Sequence, residues 1–119
     1  MDCKVTSFME DLNSLKIENL QKWFNDESRI WIPPAGEVIG VRRIMALFRA
    51  IFRKYEKLEW DVDEIFSLGN GKFFYETLSK GTIANKGIYS NQICTIISFA
   101  ENGKIKFLSD YFKDTNCFK

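Results

Sequence analysis

The chain has 119 residues, 45% of them apolar, with eleven Phe, three Trp and four Tyr. That length supports one aromatic-rich core and not two, so residues 1–119 read as a single domain. A net charge of +1 suggests neither nucleic acid nor a highly charged partner, no apolar run reaches a membrane span, and the polar start is no signal peptide.

In chain order, Ser7 and Glu10 have capping-box spacing and predict a short helix carrying Phe8 and Leu12. A second helix is expected over residues 14–24, with Ile17, Leu20, Trp23 and Phe24 at helical spacing. Residues 29–32 read as a short strand stopped by Pro33-Pro34, and residues 35–40 as a loop. From Val41 to Tyr55, apolar residues recur at i, i+3, i+4 and i+7, with arginines on the other faces, which predicts an amphipathic helix. The second half is strand-like over residues 58–68, 72–79, 88–99 and 104–112, with Asn70-Gly71 and Asn102-Gly103 as hairpin turns. The connection at residues 80–87 reads as longer and looser. Helices followed by an antiparallel meander predict an α+β fold with the helices on one sheet face.

Histidine is absent. That removes His-activated nucleophiles and the commonest metal ligand, leaving Asp, Glu, Tyr, Lys, Cys or water to move protons. Cys3, Cys94 and Cys117 are odd in number and far apart, so they predict neither a disulfide framework nor a zinc site. A reduced, cytoplasmic protein without metal or cofactor is the expectation.

One acid interrupts the last apolar strand. A two-residue turn at Asn102-Gly103 sets Phe99 against Lys106, Ile97 against Leu108 and Thr95 against Asp110, and cross-strand partners share a sheet face. Asp110 then lies among Ile93, Ile97, Leu108 and Phe112, on the face that carries Tyr89 and Asn91. Such surroundings raise a carboxylate's pKa toward the range useful near neutral pH. The alternative is a solvated or lysine-paired acid near a strand end. The same count around Asn70-Gly71 sets Phe66 against Tyr75 and Glu64 against Thr77, with Trp60 on that face. A bulge or one-residue slip would turn Glu64 outward. Trp31, Trp60, Tyr75 and Tyr89 read as core or pocket walls.

The succession of short helices, a strand ending in proline, an amphipathic helix and a curved meander resembles the nuclear transport factor 2-like superfamily, which includes SnoaL-like polyketide cyclases, ketosteroid isomerases and limonene-epoxide hydrolases. The most specific stretch is residues 88–115, where Tyr89-x-Asn91, Phe99 followed by Gly103-Lys104-Ile105, and Asp110-Tyr111 resemble the superfamily's closing hairpin. The resemblance implies a cone-shaped, strongly curved antiparallel (cystatin-like) sheet wrapped around the amphipathic helix, with a mostly apolar pocket for a small molecule. It also implies a homodimer formed through the outer sheet face, here Cys94, Ile96, Ile105, Phe107 and Tyr111.

By the same resemblance Asp110 matches an acid of the epoxide hydrolases and cyclases. The partners depart from the pattern: Thr77 and Ser79 stand where the hydrolases have Arg-x-Asp. Ile32 stands where the isomerases have their aspartate base, and their second acid falls near Thr95. Two readings follow. In one, Asp110 is a general acid or base on a small hydrophobic substrate, helped by Thr95, Asn91, Glu64 and Tyr75, with Thr77, Trp60, Trp31, Tyr89 and Phe112 as further ligand contacts. In the other, the chain is a non-catalytic binding or dimerisation module. A third use, the basic helix 42–57 lying on a membrane, ranks below both because the sheet takes up its apolar face.

Overall fold

The computed structural model describes residues 3–118, without the side chain of Cys117. The first helix, α1 (Lys4–Asn13), starts one turn before the expected capping box: Cys3 flanks it in extended conformation, and Ser7 lies within it. The earlier start buries Val5 together with Phe8, Met9 and Leu12. Burying a valine is worth about 1.5–3 kcal/mol, more than the ~1 kcal/mol of a typical cap. Leu15, at φ 57°, ends the helix.

The expected second helix breaks into α2 (Ile17–Leu20) and a tighter 3-10 turn (Gln21–Trp23). The turn brings the Trp23 indole edge-on to Phe8, with ring centres 5.7 Å apart, and its N–H donates to Asp11 Oδ2 at 2.8 Å.

Strand β1 (Arg29–Ile32) ends at Pro33-Pro34 as expected, but residues 36–39 are not loop. They form strand β2 (Gly36–Ile39), antiparallel to β1, with Val38 opposite Ile30. The amphipathic helix α3 (Val41–Lys54) buries Ile44, Met45 and Phe48 and runs directly into β3. No helix among the described residues is long and apolar enough to cross a membrane.

Strands β3 (Tyr55–Gly69), β4 (Lys72–Ile83), β5 (Gly87–Phe99) and β6 (Ile105–Phe112) form the antiparallel meander. The expected loose connection is a three-residue turn, because β4 and β5 stay paired out to Ile83 and Gly87. The six strands lie in the order β2-β1-β6-β5-β4-β3, and β1 joins β6 in parallel, with Ile30 opposite Leu108. The sheet is therefore mixed at that one junction, curved and unclosed. Its inner face and the helices enclose one apolar cluster, from Val5 and Phe8 through Ile44 and Phe48 to Ile97 and Leu108.

The two Asn-Gly hairpins keep different registers. Thr95 faces Asp110 and Ile97 faces Leu108 as counted, but Phe99 pairs with Ile105 and not with Lys106. The turn closes over Ala100 to Lys104, whose backbone groups bond at 2.8 Å, and an irregularity after Ser98 absorbs the extra residue. The same irregularity turns Ile105, expected on the outer sheet face, into the core, where it is buried. In the other hairpin, Asn70 and Gly71 both take positive φ, as a primed two-residue turn requires. Two irregularities in β3 then set Phe66 against Phe74, Ile65 against Tyr75 and Val62 against Thr77. Glu64 falls in the gap and is exposed.

Candidate functional site

Alternation along the strands places a set of side chains on the inner face. On β4 these are Tyr75, Thr77 and Ser79; on β5, Tyr89, Ile93 and Thr95; on β6, Leu108, Asp110 and Phe112. Together with α1, α3 and the β1–β2 turn they line a cavity of about 370 Å³. Among the described residues lining it, Asp110 is the sole carboxyl and Lys54 the sole cation. The wall is otherwise largely apolar, with Phe8, Met9 and Leu12 from α1 and Leu47 and Ile51 from α3.

Asp110 keeps some open surface, and the cavity lies against it. The Thr95 hydroxyl donates to its Oδ1 at 2.6 Å. Burial is the larger influence and lifts the carboxyl from 3.8 to about 6; the Thr95 bond pulls the other way by favouring the charged form. Tyr75 lies opposite Thr95 on the neighbouring strand, and its hydroxyl donates to Met9 Sδ at 3.4 Å. Burial and then the nearby Asp110 charge push its phenol well above the ordinary value, so it remains a donor. Tyr75, Thr95 and Asp110 thus form one cross-strand row in which an acid, a hydroxyl and a phenol meet inside apolar walls.

Seven of the ten residues singled out in the sequence line this cavity: Asp110, Thr95, Tyr75, Thr77, Tyr89, Trp60 and Phe112. Three do not. Trp31 faces outward because Ile30 and Ile32 take the inner positions of β1; it is 42% exposed and stacks on Tyr111 at 5.9 Å. Glu64 is turned out by the irregularity in β3. Asn91 is buried, but its side chain ties down the C-terminal segment: Nδ2 donates to the Asp114 carbonyl at 2.8 Å, and Oδ1 accepts from the Asp114 N–H at 3.1 Å.

The cavity has lining residues beyond those ten. Ser79 follows Tyr75 and Thr77 at period two, a signal that was there to read. The helical spacing of Phe8 and Leu12 pointed to a buried face without saying what it would meet. Phe118 packs edge-on against Phe112 at 4.9 Å from beyond the last strand, and no periodicity marks it.

A SnoaL-like domain model matches residues 5–108. The chain belongs to that family. The match stops two residues before Asp110, so it does not reach the acid. No curated protein matches the sequence. Solved structures of the nuclear transport factor 2-like superfamily share the fold. One is a protein of unknown function from Exiguobacterium sp. 255-15, with 16% identity over 95% of this chain and 100% of that one, TM-score 0.83. Another is BvnE pinacolase from Penicillium brevicompactum, with 11% identity over 96% and 86%, TM-score 0.79. A third is an LEH-like epoxide hydrolase from M. tuberculosis, with 17% identity over 92% and 80%, TM-score 0.77. At these identities the likeness is one of fold.

Proposed function

We propose that this chain carries out general acid–base chemistry, without a cofactor, on a small hydrophobic molecule held in the cavity, with Asp110 carrying the proton. The observation behind this reading is a lone carboxyl, hydrogen-bonded by Thr95, in an otherwise largely apolar cavity. With its pKa at about 6, roughly nine in ten copies are ionised at pH 7 and serve as the base. A proton leaves the substrate carbon, or a water, for Asp110, and the same carboxyl returns it to a second atom. Tyr75, which donates to Met9 Sδ in the free protein, turns that bond to the oxyanion that develops between the two steps. Isomerisation, cyclisation and epoxide opening share this pattern, and the pinacolase and the epoxide hydrolase among the structural neighbours support it.

β-Tetralone, a bicyclic ketone with an exchangeable α-proton, tests the reading. In deuterated water the native protein should accelerate loss of that proton, as followed by NMR. Asp110→Asn should abolish the acceleration and leave binding of the ketone intact. Binding without accelerated exchange in the native protein would favour the non-catalytic module, which Thr77, Ser79 and Ile32 at the family's partner positions already support.

The outer sheet face supports homodimerisation. Trp31 and Tyr111 (51% exposed) stack there, and the Phe66 and Phe74 rings stack at 4.9 Å. Sedimentation equilibrium should give twice the chain mass, and Trp31→Glu should return the monomer; a monomeric native protein would remove the dimer. The scattered cysteines support a cytoplasmic setting.

A further inference from the structure

Thr77 is the one described buried side-chain donor or acceptor without a partner. It is 4% exposed, sits on β4 between Tyr75 and Ser79, and belongs to the cavity wall. Its neighbours across the sheet are Val62 and Ile93, which offer its hydroxyl nothing. A buried hydroxyl left unbonded is a standing penalty that a valine of the same shape would avoid. Asn91 and Ser28, also buried, have their side-chain bonds made within the protein. Thr77 does not.

We propose that Thr77 is the anchor for an acceptor oxygen of the ligand, so that the molecule taken by this cavity is a hydrophobe bearing a carbonyl or ether oxygen apart from the atom that Asp110 addresses. This rests on the reading of the cavity as a binding site. In the free protein the hydroxyl has no accessible surface. Rotation of about 120° about χ1 carries the hydroxyl into a neighbouring staggered well, and a ligand oxygen beside that well then provides the missing bond. Thr77 lies two strands from Asp110 and one inward-facing row away, a backbone separation of roughly 12 Å at ordinary strand spacings. Both side chains point inward, so the two polar points come closer than their backbones do. The volume, about 370 Å³, equals that of about a dozen waters at ~30 Å³ each. A compact bicyclic ketone fits within that space; Thr77 and its inner-face neighbour Tyr75 both donate to its oxygen while an activated carbon faces the acid.

The test compares β-tetralone with its hydrocarbon counterpart, tetralin, by calorimetric titration of native protein and Thr77→Val. The variant should bind the ketone about tenfold more weakly and tetralin unchanged. Without ligand it should melt a few degrees higher, since the unbonded hydroxyl is gone. Thr77→Ser keeps the hydroxyl and should retain the preference for ketone over hydrocarbon. Equal ketone binding by native protein and Thr77→Val would overturn the anchor and leave the cavity reading standing. A lower melting temperature in Thr77→Val would overturn it too, by showing that the hydroxyl is already satisfied. Failure of both compounds to bind the native protein would overturn the cavity reading and the anchor with it.

Discussion

Two hairpins of this molecule turn on the same dipeptide, Asn-Gly, and each carries an acid that the turn alone would aim inward. Around Asn102-Gly103 the ladder recovers after one irregularity, and Asp110 reaches the inner face beside Thr95. Around Asn70-Gly71 the ladder slips twice, and Glu64 emerges into solvent. The difference lies in what flanks each strand. β6 is held on both sides, by β5 and β1, and Ile105 and Leu108 are buried. β3 is an edge strand, paired on one side only, and among its residues only Leu58 is buried. A turn sets register near itself; two-sided pairing and burial preserve it further along the strand.

The largest expected effect lies in the irregular hairpin. A Cβ at Gly81 would collide with the Lys57 carbonyl, a backbone atom of β3 that cannot step aside. Gly81→Ala should cost about 3 kcal/mol, read from urea unfolding, because it drives apart β3 and β4 beside the irregularity at Lys57. A loss below about 0.5 kcal/mol would mean that this end of the hairpin is looser than the structure has it.

Next in size is the contrast between the acids. The folded protein tolerates protonated Asp110 better than ionised, so it keeps that proton to higher pH than the unfolded chain does. The group therefore contributes full stability below about pH 4 and loses it as pH rises through about 6. A displacement from 3.8 to about 6 corresponds to about 3 kcal/mol. Asp110→Asn should remove most of that pH dependence and stabilise the protein at pH 7 by about 2 kcal/mol. Glu64→Gln, on the exposed side, should change stability at pH 7 by less than about 0.5 kcal/mol. A larger effect at Glu64 than at Asp110 would reverse the comparison.

Much of this was legible in the sequence for identifiable reasons. Helix α3 and the strands of the meander announce themselves through period and turn residues, and Thr95 opposite Asp110 follows from counting. Strand β2 was missed because Glu37 and Val38 are too short a run to show alternation, and only the pairing of Val38 with Ile30 reveals it. Trp31 was assigned to the pocket by its character as a large aromatic, whereas strand parity puts Ile30 and Ile32 inside. Asn91 had the right parity and the wrong role, since its amide is engaged by Asp114 from beyond the final strand. Parity finds the face of a sheet. It does not find what the chain does after the sheet ends.

The proposed chemistry needs the Asp110 carboxyl to sit in an apolar cavity that favours its protonated form. Carboxyl-carbon NMR titration of the native protein, with Asp110→Asn to assign the resonance, measures this directly. The midpoint for Asp110 should lie at about 6. A midpoint near 3.9, the ordinary aspartate value, would show a well-solvated carboxyl and contradict the proposed chemistry.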